Sequence, residues 1–184
     1  MAWNLPNILT WLRILAVPVL PMLFFLPYHW ADRAAGLLFA AASITDSLDG
    51  YFARRMGLTT RLGAFLDPVA DKLMVAAALI VLVDLGRATP LIALIIIGRE
   101  ITISALREWM AKAGKSASVA VSFVGKLKTA AQMIAIVLLL YFNPVAGLPI
   151  AESGTWLIWV AALLTLVSMA YYLVMAARAL QKTS

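Results

Sequence analysis

The chain has 184 residues, 64% of them hydrophobic and 13% charged, with a mean hydropathy of +0.94. An ordinary soluble domain is about half apolar and a quarter charged, so a water-soluble monomer is excluded. Fifteen Lys and Arg against nine Asp and Glu leave a net charge of +6 with one neutral His and no cysteine, which suits anionic lipid headgroups and excludes disulfides, zinc thiolates and thiol nucleophiles.

About 20 residues cross a bilayer as a helix, and on that measure the apolar stretches predict an all-α integral membrane protein with six spans in one domain, 1–184. The first span, 8–27, follows a segment Met1–Asn7 that suits the interface, with Trp3 at headgroup level. It lacks a basic leader and a small-residue cleavage site, and Pro18 and Pro21 interrupt it, so it reads as an uncleaved span. After Pro27 and Tyr28, His29 beside Trp30 reads as an interfacial residue. The second span, 31–53, runs into Asp46, Asp49 and Arg54, and after Gly57 the third, 63–85, begins with Asp67, Asp71 and Lys72. Gly86 and Pro90 mark the next turn, and the fourth span, 88–109, runs into Arg99, Glu100 and Arg107. Past Gly114 and Ser116, the fifth span, 119–142, begins with Lys126 and Lys128. Asn143, Pro144, Gly147 and Pro149 then precede the sixth, 154–177, which has no charge between Glu152 and Arg178 and is a candidate scaffold or homodimer contact.

Helices joined by short loops alternate in direction, so the polar ends of spans two to five fall on one side of the membrane. Thirteen of the fifteen basic residues belong to that half, Lys112, Lys115, Arg178 and Lys182 among them, leaving Arg33 and Arg87 opposite. The positive-inside rule makes the ionic side cytoplasmic, with both termini there and the candidate site facing the cytoplasm. The six Trp and five Tyr lie largely near span ends, where they anchor at headgroups, and nucleic-acid binding is unsupported.

Asp46, Asp49, Gly50 and Ala53 stand at i, i+3, i+4 and i+7, one helical stripe, and Gly63, Asp67 and Asp71 form a second. Facing each other, the two stripes would gather four carboxylates, a costly arrangement near hydrocarbon unless cations neutralise it. Oxygen-only donors predict Mg2+ or Mn2+, and four carboxylates suit a two-metal site with ions about 3.5–4 Å apart. The competing reading is a set of solvated ion pairs with Arg54, Arg55 and Arg61; four Asp in two helical registers outweigh it. Gly50, Ala53 and Gly63 leave room for a ligand near the backbone, although small residues also serve helix packing. Arg54 offers a planar donor fork for phosphate, so the cleft suits a nucleoside diphosphate.

The run from Asp46 to Asp71 meets D-x2-D-G-x2-A-R-x8-G-x3-D-x3-D at all eight fixed positions over 26 residues, and on this motif the chain resembles the CDP-alcohol phosphotransferase family. The likeness extends to NLPNILTWLR from Asn4, GREITISALREWM from Gly98 and GKLKTAAQM from Gly125, and these stretches are similar to the bacterial members that use sn-glycerol 3-phosphate. The resemblance implies the family's six-helix fold in the bacterial cytoplasmic membrane. It also implies transfer of the phosphatidyl group of CDP-diacylglycerol to sn-glycerol 3-phosphate, with CMP released, in phospholipid biosynthesis. It further implies one metal on Asp46, Asp49 and Asp67, a second on Asp46, Asp67 and Asp71, and Asp71 as the base for the attacking hydroxyl. Gly50, Arg54 and Thr60, beside Ala53 and Gly63, would meet the CDP moiety, with the Asn7 to Thr10 segment closing over it.

The acceptor's dianionic phosphate needs its own basic pocket, for which Arg99, Arg107, Lys126 and Lys128 are the candidates, with Arg61 behind them. Arg99 beside Glu100 also reads as a structural ion pair. Lys126 and Lys128 are 200° apart on a helix, so one of them at most faces the pocket directly. Two alternatives are a sibling transferase using another alcohol, since the motif does not choose the acceptor, and a six-helix cation carrier. The carrier reading is weakened because the acids cluster at one face and no inverted repeat is visible.

Overall fold

In a chain this apolar, a helix satisfies its backbone hydrogen bonds within one segment and needs no water to do so. The computed structural model describes residues 5–28, 30–56, 61–112, 123–145 and 147–181, with their side chains except those of 5–7, 47–56, 61, 62, 64, 123, 124, 126 and 179–181. These residues form α1 (Leu5–Met22), a short 3-10 turn (Leu23–Phe25), α2 (Ala31–Met56), α3 (Arg61–Asp84), α4 (Pro90–Lys112), α5 (Phe123–Tyr141) and α6 (Ile150–Gln181). All six expected helices are present, with shifted ends. Trp3 and His29 lie outside the described residues.

The shifts have local causes. The first helix gives way to a 3-10 turn and then to extended Leu26 (φ −86°, ψ 130°), because a residue before proline, here Pro27, is pushed out of the helical region. The third ends at Asp84 in a Schellman arrangement: Gly86 N–H donates to Val83 O and Arg87 N–H to Leu82 O, with Gly86 at φ 67°. Glycine takes this left-handed position at little cost. The sixth helix starts four residues earlier than the charge-free window because Glu152 lies in its first turn, where a carboxylate complements the helix dipole.

Helix α1 packs on α2 and α3, α3 on α4, α2 on α5, and α6 on both α4 and α5. Phe39, Leu79, Leu82, Ile96 and Leu140 lie at the shared centre, fully buried. Close approach depends on small residues: a Cβ at Gly36 would stand 2.9 Å from Tyr141 Cβ and 3.0 Å from its backbone, and one at Gly154 would stand 2.9 Å from Leu139 Cγ. At the end away from the carboxylates, Arg87 ties three elements together. It pairs with Asp32 of α2 at 2.7 Å, donates to the carbonyls of Leu139 and Leu140 at 3.2 and 3.1 Å, and lies 4.0 Å above the Phe142 ring.

Large apolar side chains face outward, among them Leu15, Met22, Leu37, Trp156 and Leu163, a surface suited to lipid. Two stretches among the described residues, Ile8–Phe25 and Ile150–Arg178, are long and apolar enough to cross a membrane; Leu127–Tyr141 is a shorter apolar stretch.

Candidate active site

Thr10 and Arg13 stand three residues apart on α1 and so share a face; both are buried, Arg13 at 5% exposure. Thr10 Oγ1 donates to Asp67 Oδ1. Arg13 Nη1 lies 2.7 Å from Asp46 Oδ1 and 4.0 Å from Asp67 Oδ1. The first helix thus draws one carboxylate from α2 and one from α3 towards a single positive group. Gly63, one turn before Asp67, is buried.

Among the described residues, no three carboxylates or imidazoles are gathered closely enough to hold a metal ion. Asp49 follows Asp46 on α2, and its side chain lies outside the described residues. Two carboxylates from different helices converge on one cation, and every available donor is oxygen, so this chemistry fits a hard divalent ion. Asp71 lies within electrostatic reach of Asp46, Glu100, Arg13 and Lys72.

One turn beyond Asp67, Asp71 opens onto a cavity of about 190 Å³ whose wall also includes Arg99, Glu100, Arg107, Lys128 and Tyr172. Three of the expected phosphate ligands, Arg99 and Arg107 of α4 and Lys128 of α5, are therefore brought together. Lys128 is 1% exposed, and its ammonium donates to Glu100 Oε1 at 2.6 Å. The same oxygen accepts from Arg99 Nη1 at 3.0 Å. Arg99 thus both pairs with Glu100 and lines the cavity, combining two roles that the sequence poses as alternatives. An ammonium so buried depends on its counter-charge, since taking an unpaired ion out of water costs several kcal/mol, roughly. Beyond this cluster, Lys112 holds the exposed Glu108 at 2.8 Å.

The sixth helix, free of charge between Glu152 and Arg178, supplies the back of this wall. Arg99 Nη2 donates to Ser168 Oγ at 3.4 Å, and Arg107 Nη2 to the Tyr172 hydroxyl at 3.3 Å. The two guanidinium carbons stand 5.8 and 5.3 Å from the Tyr172 ring centre, within cation–π range. Sequence reasoning overlooked Tyr172, Ser168 and Arg13, although each leaves a trace. Arg13 is the sole charge in the first apolar span, and Thr165, Ser168 and Tyr172 form an i, i+3, i+7 polar stripe on α6.

Several expected site residues are placed only by their backbone. Asn7 lies on α1, Asp49, Gly50, Ala53 and Arg54 on α2, Arg61 on α3 and Lys126 on α5, while Thr60 lies outside the described residues altogether.

Residues 3–167 match the family described as CDP-alcohol phosphatidyltransferase. Over 175 residues, 94% of this chain and 94% of the relative, the sequence is 48% identical to a Salmonella choleraesuis protein named CDP-diacylglycerol--glycerol-3-phosphate 3-phosphatidyltransferase. Proteins of the same name from Escherichia coli and Salmonella typhi are 48% and 47% identical over the same length.

Proposed function

The chain belongs to the CDP-alcohol phosphatidyltransferase family, and on that premise we propose that it transfers the phosphatidyl group of CDP-diacylglycerol to sn-glycerol 3-phosphate, forming phosphatidylglycerophosphate and CMP. The observation that carries the acceptor is the cavity in which Asp71 meets Arg99, Arg107 and Lys128. A carboxylate able to take a proton stands there beside three cations able to hold a phosphate monoester.

In this reading Arg99, Arg107 and Lys128 bind the acceptor phosphate, with Lys126 and Arg61 in support. Asp71 receives the proton of the primary hydroxyl as its oxygen attacks the phosphorus that bears diacylglycerol. The new O–P bond forms while the diphosphate bridge breaks, and CMP leaves with the bridging oxygen. Asn7, Thr10, Gly50, Ala53, Arg54, Thr60 and Gly63 surround the CDP moiety. Asp46, Asp49, Asp67 and Asp71 would hold Mg2+ or Mn2+, which supplies neutralisation of diphosphate charge when bound. All six helices span the bacterial cytoplasmic membrane with the termini and the site on the cytoplasmic side, a reading supported by the lopsided distribution of Lys and Arg.

The test is an acceptor panel: purified protein in mixed micelles with CDP-diacylglycerol and Mg2+, CMP release being followed with glycerol 3-phosphate, serine and inositol phosphate in turn. Glycerol 3-phosphate is expected to give the fastest release. A faster reaction with another alcohol would overturn the assignment.

A further inference from the structure

Most of the polar side chains lining the cavity beside Asp71 have partners within the bundle. Arg99 donates to Glu100 and Ser168, Lys128 to Glu100, and Arg107 to Tyr172. Thr129 Oγ1 donates back to the Gly125 carbonyl at 3.0 Å. Arg99 keeps its bonds through its terminal nitrogens although its buried Nε has no partner; Gln132 lines the same cavity, is 2% exposed, and its buried Oε1 has no hydrogen-bond partner. Leaving a buried polar group unmatched costs about 1–3 kcal/mol, so an amide retained at such a position marks a place where a ligand completes the set.

The chemistry of the proposed acceptor names that ligand group, and the inference rests on the acceptor reading above. Glycerol 3-phosphate carries a phosphate, a primary hydroxyl that attacks, and a secondary hydroxyl between them. The cations account for the phosphate and Asp71 for the attacking hydroxyl, which leaves the secondary hydroxyl without a protein partner. Gln132 lies four residues beyond Lys128 on α5, hence on the same face and one turn of about 5.4 Å further along. That is the scale on which a carbinol follows a phosphate in a three-carbon chain. We infer that the Gln132 side-chain amide binds the 2-hydroxyl of the acceptor and makes this residue a specificity determinant for a glycerol phosphate over a phosphorylated diol lacking that group. A hydroxyl both donates and accepts, so either end of the amide can serve it.

The experiment pairs two acceptors with two proteins. CMP release is measured with sn-glycerol 3-phosphate and with 1,3-propanediol monophosphate, which keeps the phosphate and a primary hydroxyl but lacks the middle one. A site built to bond a substrate hydroxyl discriminates against the analogue without it. Wild-type kcat/KM is expected to favour glycerol 3-phosphate by at least about tenfold, equivalent to ~1.4 kcal/mol. In Gln132→Leu, which keeps the size and removes the buried amide, the preference should shrink to threefold or less. A merely structural role for Gln132 would lower both activities in parallel and leave their ratio unchanged. If the Leu variant is not recovered folded, Gln132→Met carries the same expectation. A wild-type enzyme indifferent to the two acceptors, or a folded variant that keeps the full preference, overturns the inference. Absence of CMP release from the wild type with glycerol 3-phosphate overturns the acceptor reading itself, and this inference with it.

Discussion

The pair formed by Glu100 and Lys128 allows a quantitative test of the cavity's construction. The Lys128 side chain is 1% exposed and that of Glu100 25%, with 2.6 Å between ammonium and carboxylate. Glu100→Gln removes the charge and keeps the shape, leaving buried Lys128 and Arg99 without the carboxylate they share. Breaking a buried pair from one side costs about 3–5 kcal/mol, and the lower end applies here because Glu100 keeps some contact with water, so a loss of about 3 kcal/mol is expected. Replacing both partners by Glu100→Gln with Lys128→Met removes the buried ammonium and leaves only Arg99, which keeps its bond to Ser168, without its carboxylate, so it should recover part of that loss. Unfolding of the purified protein in micelles, followed by circular dichroism across a denaturant series, measures both variants against the wild type. The double variant, although stable, should still bind glycerol 3-phosphate poorly, since it lacks a phosphate ligand. A Glu100→Gln variant within about 1 kcal/mol of wild type, the worth of an exposed ion pair, would mean that the buried cations do not depend on this carboxylate. So would a double variant no more stable than the single one.

Arg107 offers a cleaner probe of acceptor binding, because it is exposed and its loss buries no unpaired charge. Arg107→Gln should raise KM for glycerol 3-phosphate about 10- to 150-fold, from a charged hydrogen bond worth about 1.5–3 kcal/mol, with KM for CDP-diacylglycerol unchanged and the unfolding midpoint lowered only slightly through the lost contact with Tyr172. Asp71→Asn should retain CDP-diacylglycerol in a direct binding assay while turnover falls below detection; a folded variant with near-normal turnover contradicts the assigned base. At the opposite end of the bundle, Arg87→Met should destabilise the protein by about 3 kcal/mol through the loss of its bonds to Asp32 and two α5 carbonyls. Asp32→Asn combined with it should restore part of the loss, and kcat per folded molecule should stay at the wild-type value in both.

The helices and the polarity of their ends were readable because apolar length and charge position are one-dimensional properties of the chain. Spacing alone also put Asp67 and Asp71 on one stripe of α3, and the need for an acceptor-phosphate pocket nominated Arg99, Arg107, Lys126 and Lys128, with Arg61 behind them, of which Arg99, Arg107 and Lys128 line the cavity. Partner choice was not readable in the same way. Nothing local states that Arg13 of α1 approaches Asp46 from another helix, or that one Glu100 oxygen serves cations from α4 and α5. Tyr172 was hidden for a related reason: without a charge nearby, α6 reads as lipid-facing scaffold, and its polar stripe gains meaning only when α4 packs against it. Helix ends shifted by a few residues wherever capping, as at Gly86 and Glu152, outweighed hydropathy.

The third helix has two successive turns facing different neighbours, and this places the two halves of the site relative to each other. Asp67 is engaged from α1 by Thr10 and lies near Arg13, beside the segment assigned to the nucleotide. Asp71, four residues on, borders the basic cavity formed by α4, α5 and α6. In the proposed reading, one helical turn of about 5.4 Å separates the carboxylate beside the diphosphate from the carboxylate beside the attacking hydroxyl. In that reading, a donor that stays in the bilayer and an acceptor that arrives from water would meet without domain closure, with the two aspartates on α3 setting their separation. Such positioning is where phosphoryl transfer gains most from a protein. A change in α3 that rotated Asp71 away from Asp67 would thus cost far more activity than stability.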